Sequence, residues 1–118
     1  MANPSTTGPS GIGSEVLRRC HTITAVPTMT SVLTVGTDMI VTILSMIVAN
    51  NATGSWTNYI HVFPDGGSEC TIVTWNQTNA GTFIFNDKLV LVETDVLKLE
   101  TNCTDSDVYV SYIEQEFA

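Results

Sequence analysis

Met39-Ile40-Val41-Thr42-Ile43-Leu44-Ser45-Met46-Ile47-Val48-Ala49 is the most apolar run of the chain and contains no charge. Two structures compete for such a run. A membrane-crossing helix needs about twenty consecutive apolar residues, and this run reaches about half of that before Asp38 and Gly36 interrupt it on the N-terminal side. Its β-branched Ile, Val and Thr side chains suit a pleated strand better than a helix. The run therefore predicts the central strand of a sheet-built core, buried on much of both faces, and no membrane segment.

Outward from this run, short apolar segments alternate with turn residues, without a solenoid-type repeat or a low-complexity block. Strands are predicted at residues 21–24, 31–35, 39–50, 56–63, 70–75, 81–85, 88–92, 96–100 and 107–114. The last has the clearest period of two: Val108, Val110 and Tyr112 share one face, and Asp107, Tyr109 and Ser111 the other. The first set should face the core. Leu89 with Leu91, and Leu97 with Leu99, alternate in the same way. The connections are short and rich in turn residues: Asn50-Asn51-Ala52-Thr53-Gly54, Pro64-Asp65-Gly66-Gly67, Asn86-Asp87, Glu93-Thr94-Asp95 and Thr104-Asp105-Ser106. A parallel crossover needs about a dozen residues or more, so these connections predict antiparallel neighbours, with the first two closing hairpins. The expected fold is all-β, a single antiparallel β-sandwich of jelly-roll type over residues 15–118. Residues 1–14, rich in Pro, Ser, Thr and Gly, are expected to form a flexible N-terminal arm, either an assembly tether ordered against a neighbouring subunit or a tail without a role.

Composition narrows the function classes. A length of 118 residues suits one hydrophobic core. Only 14% of the residues are charged, and Thr and Asn fill the polar surface instead. The formal net charge is −8, with Arg18, Arg19, Lys88 and Lys98 as the only cations, which leaves too few contacts to neutralise a phosphate backbone. Direct nucleic-acid binding is not expected. Arg18 and Arg19 together read as one small basic spot near the domain entrance, open to a partner or simply solvated. Cys20, Cys70 and Cys103 form no CxxC and no Cys/His cluster of zinc spacing, so buried or half-buried free thiols are expected, with one bridge still geometrically open. Residues 1–13 lack a basic start and an apolar stretch, so no secretion signal is expected.

Catalytic constellations are missing from the pattern. His21 and His61 are the two imidazoles. Cys20 and His21 are adjacent in a predicted strand and so should point to opposite faces, and His61 sits between Tyr59 and Phe63 as a packed or hydrogen-bonded ring. The acidic pairs Glu93/Asp95 and Asp105/Asp107 lie in turns, where a carboxylate caps its own backbone more often than it holds calcium. The three Asn-x-Thr sequons at Asn51, Asn76 and Asn102 read as turn chemistry. No catalytic residue, cofactor or metal ligand is therefore assigned. Contact surfaces are assigned instead to Arg18, Arg19, Trp56, Tyr59, Trp75 and Tyr109, of which Trp56, Trp75 and Tyr109 could also form a stacking platform for carbohydrate.

Three stretches carry a family resemblance: Ile-Val-Ala-Asn at residues 47–50, Phe-Asn-Asp-Lys-Leu-Val-Leu-Val-Glu-Thr-Asp-Val-Leu at residues 85–97, and Val-Ser-Tyr-Ile-Glu at residues 110–114. Together they make residues 31–114 resemble small β-sandwich virion structural proteins of tailed bacteriophages, especially those of marine cyanobacteria. The middle stretch is similar to a hairpin with an acidic turn, except that Thr94 stands where that group usually has Gly. The resemblance implies a non-enzymatic virion protein assembled in the host cytoplasm, most simply a capsid decoration or cement protein. It would be a homo-oligomer, with a trimer favoured, seated on the major capsid or other virion proteins. A neck, tail or fibre component is the alternative, and a carbohydrate-binding module a further one.

Overall fold

The computed structural model describes residues 15–24 and 28–117, with the side chains of residues 21–24 and 28 outside that description. The arm expected at residues 1–14 lies outside the described residues. Nine strands follow in order: β1 (Glu15–Thr24), β2 (Thr28–Thr34), β3 (Met39–Asn50), β4 (Ser55–Phe63), β5 (Cys70–Thr78), β6 (Gly81–Phe85), β7 (Leu89–Val92), β8 (Val96–Thr101) and β9 (Ser106–Glu116). The predicted strands are all present, and β3 and β6 have the expected bounds. β1 begins six residues earlier than expected, so Arg18 and Arg19 lie within a strand and not at the domain entrance.

Every pairing is antiparallel, in two packed sheets. One runs β1-β9-β3, with β6 and β7 sharing the outer edge of β3; the other runs β2-β8-β4-β5. The fold is thus an all-β sandwich. Consecutive strands mostly belong to different sheets. Of the turns read as hairpins, only residues 64–67 join paired neighbours, β4 and β5. Residues 50–54 carry the chain from one sheet to the other, as do Glu93-Thr94-Asp95 between β7 and β8, so neither is a hairpin. A short connection also suffices to arch over the end of a sandwich about 10 Å thick, which is why loop length alone did not separate the two geometries.

The core lies between the sheets. Val41, Ile43, Met46 and Val48 from β3 meet Ile60, Val62, Leu97 and Leu99 from the opposite sheet, with Leu91, Val108, Val110 and Tyr112 completing it. Burying each such aliphatic side chain contributes about 1.5–3 kcal/mol relative to exposure. The alternation expected in β7, β8 and β9 holds, with Leu91, Leu97, Leu99, Val108 and Val110 each at most 1% exposed. β3 departs from the expected two-faced burial. Its register against β9 shifts between Ile43 and Ser45, and this bulge changes the inward parity from odd (Val41, Ile43) to even (Met46, Val48). One face of β3 is therefore core along its whole length, while Ile47 on the other is open to solvent. No helix of the described residues is long and apolar enough to cross a membrane.

Candidate assembly surfaces

Strand alternation determines what each assigned contact residue can do. Val16 is buried, so its neighbour Leu17 faces outward from the first sheet, and Arg18 and Arg19 fall on opposite sides. Arg18 lies on the inner side at the rim of the sandwich, where its Nε donates to Glu114 Oε1 at 3.1 Å. Arg19 faces outward and its Nη1 donates to the Tyr109 hydroxyl at 3.0 Å, a contact that raises the guanidinium pKa above its ordinary value. The single basic spot expected from the sequence is split between two faces. Trp56 has its indole against Gly54 and donates Nε1–H to the Ala52 carbonyl at 2.9 Å, so it closes the arch between β3 and β4. Trp75 packs against the core and stacks on Phe83 at 4.1 Å. Tyr59 stacks on His61. Tyr109 is on the outer face of the first sheet and Trp75 on the inner side of the second, so the three rings considered as a carbohydrate platform do not share one surface.

The outer face of the first sheet is the largest feature that sequence reading missed. Registered across the strands, Leu17, Ile113, Thr42 and Val90 form one row. Tyr109, Ile47 and Ile84 form a second, and Ile40 with Val92 a third. Val90 is 60% exposed and Ile84 56%. The available signal was the Val90/Val92 alternation; the changed parity of β3 shows only in its register against β9. Beside this face, β6 and β7 form an outer edge, and at the far side of the second sheet β5 is another, with no strand paired beyond it among the described residues. Unpaired N–H and C=O groups along such edges are templates for pairing with another chain.

The acidic turns act as caps. Asp95 Oδ2 accepts from the Val92 N–H at 2.9 Å and its Oδ1 from the Asp65 N–H at 3.0 Å. Glu93 accepts from the Asp38 N–H at 2.7 Å, and Asp107 from the Asn51 amide at 3.0 Å. All three cysteines are free thiols. Cys103 is buried and Cys20 half-buried as expected, but Cys70 is exposed at the start of edge strand β5. Burial raises the Cys20 thiol pKa. His61 is packed and hydrogen-bonded, with Thr71 Oγ1 at 3.0 Å from Nδ1 and Glu100 Oε1 at 2.8 Å from Nε2. The structural position of His21 beyond its place in β1 lies outside the described side chains. The Thr71 hydroxyl, the His61 ring and Glu100 thus form one hydrogen-bonded line, with the ring itself buried.

No model of a known protein family matches the chain, and no curated protein is significantly similar to it. Among solved structures, the fold is similar to that of a chain from a structure described as "Bacillus endospore appendages form a novel family of disulfide-linked pili". The TM-score is 0.56 at 13% sequence identity, over 99% of this chain and 100% of that one. At that identity the likeness establishes a shared all-β fold.

Proposed function

We propose that this chain is a non-enzymatic structural subunit of jelly-roll topology that joins copies of itself into a larger, extracellular protein assembly. The observation that carries this reading is the apolar outer face of the first sheet, where Leu17, Ile47, Ile84, Val90 and Val92 are all at least 38% exposed. The exposed aliphatic residues lie in rows on either side of the polar Arg19–Ser111–Ser45 row, and a second copy of the chain is the occupant that covers them and also satisfies the open β5 and β6–β7 edges. The likeness to a pilus subunit supports a fibre-like arrangement. The exposed Cys70 is available for a covalent link between subunits, and the composition of residues 1–14 suits a segment that takes its order from a neighbouring copy.

A second reading places the subunit in a phage particle, as a capsid decoration protein or a neck or tail component. It rests on the resemblance carried by residues 47–50, 85–97 and 110–114. Light scattering and negative-stain microscopy of the purified chain separate the readings. Extended fibres, shifted in a non-reducing gel, support the pilus-like arrangement; a discrete trimer that coats heads supports the decoration protein. A monomer at every concentration, with no uptake onto any particle, would sink the assembly function itself.

A further inference from the structure

His61 stands on the outward register of the second sheet, between Tyr59 and Phe63 on β4, yet it is only 1% exposed. The Tyr59 ring stacks on it at 5.5 Å, and Phe63 meets it edge-on at 6.3 Å. These rings and the surrounding strands hold the imidazole in one orientation. Nε2 has Glu100 Oε1 at 2.8 Å and Nδ1 has Glu69 Oε1 at 3.0 Å; in the tautomer with the proton on Nε2, that N–H donates to Glu100 and Nδ1 offers its lone pair. A carboxylate on the far nitrogen is the arrangement that orients metal-binding histidines and raises their basicity.

Nδ1 faces two oxygens. Glu69 Oε1 and Thr71 Oγ1 each lie 3.0 Å from it, and 3.4 Å from one another. These three donor atoms form a triangle whose centre is about 1.8 Å from each corner, so a cation just above its plane reaches all three with bonds of about 2.0–2.2 Å. The electrostatics favour a cation. Among the described residues no Lys or Arg pairs with Glu69 or Glu100, and Lys98, opposite His61 in the register, has its ammonium over the Phe63 ring at 4.3 Å. The Glu69 and Glu100 side chains are 43% and 41% exposed, which leaves an ion a path from solvent.

The geometry points to a divalent-cation site of the zinc class, with His61 Nδ1 and Glu69 as ligands, the Thr71 hydroxyl beside them, and Glu100 as the carboxylate that positions the ring. An imidazole with a carboxylate suits zinc, cobalt or nickel, whereas calcium takes six to eight oxygens. A bound ion would tie the loop before β5 to β4, and through Glu100 to β8, stiffening the exposed edge of the second sheet. The site is independent of the assembly reading.

The test uses the full chain, stripped with chelator, then titrated calorimetrically with zinc chloride and followed by visible absorption with cobalt(II) chloride. One equivalent per chain is expected, with cobalt bands characteristic of nitrogen and oxygen ligands. Glu69→Gln, at an exposed loop position, should weaken binding by at least about ten-fold. Glu15→Gln on β1 should leave it unchanged. Cys70→Ser should also retain it, since the neighbouring thiol is not a ligand. Absence of saturable uptake at about 1 mM zinc, affinity unchanged by Glu69→Gln, or loss of binding in Cys70→Ser would each overturn the proposal.

Discussion

Replacing Asp95 by Ala should destabilise the sandwich by loosening the corner between its two sheets. The carboxylate is only 8% exposed and accepts two backbone N–H groups, from Val92 at the end of β7 and from Asp65 in the β4–β5 hairpin. It therefore joins the corner between the two sheets to the hairpin of the second sheet. A hydrogen bond to an ionised group contributes about 1.5–3 kcal/mol, so losing two amounts to about 3–6 kcal/mol. Asp65 is exposed and water can replace its lost acceptor, which brings the expected cost to about 2–4 kcal/mol. At about 4 °C per kcal/mol for a domain of this size, Tm should fall by about 8–16 °C. Asp95→Asn should be intermediate, because one amide oxygen still accepts while the NH2 group faces an N–H. Thermal melts by circular dichroism, with urea unfolding to check two-state behaviour, give both values. A shift below about 3 °C for Asp95→Ala, or a larger loss for Asn than for Ala, would refute the capping argument.

Gly54→Ala should cost about 2 kcal/mol or more, read from the urea midpoint, because φ is +150° and the new Cβ would lie 2.6 Å from the Trp56 indole. In the native state, thiol labelling should proceed in the order Cys70, Cys20, Cys103, following exposure and the raised Cys20 pKa; equal rates for all three would contradict the fold. Stability should also fall on the alkaline side. Burial raises the Cys20 thiol above its ordinary 9.0 and the Tyr112 phenol above 10.0, so the folded chain keeps protons that the unfolded chain releases. That contribution is complete below pH 9.0 and is lost as pH rises through the two raised values. Urea midpoints that stay constant from pH 8 to about 11 would contradict it.

The candidate site was far less legible than the strands. His61, Glu69, Thr71 and Glu100 are drawn from β4, β5, β8 and the loop before β5, and no local spacing links them, so a reader of the sequence sees a packed His and scattered acids. The acidic turns were readable because an Asp or Glu that caps nearby N–H groups uses short-range chemistry. Thr94 is instructive in this respect. It has φ +69°, a left-handed conformation that a β-branched residue rarely adopts. Its hydroxyl donates to Asp65 Oδ1 at 2.9 Å, so a side-chain contact helps to hold a backbone shape that Gly would adopt freely.

By itself, the sequence determined the strands, the all-β class and the inward faces of β7, β8 and β9, because the period of two and the turn residues are local properties of the chain. Only the tertiary structure decided which strands are partners. Arches and hairpins use loops of the same length, and the choice between them depends on how two twisted sheets bury their faces together. The same packing decided that the outer face of β3 remains in water. A bulge at Leu44 transfers one parity of an apolar run to the core and leaves the other, with Ile47, as the surface on which assembly is proposed.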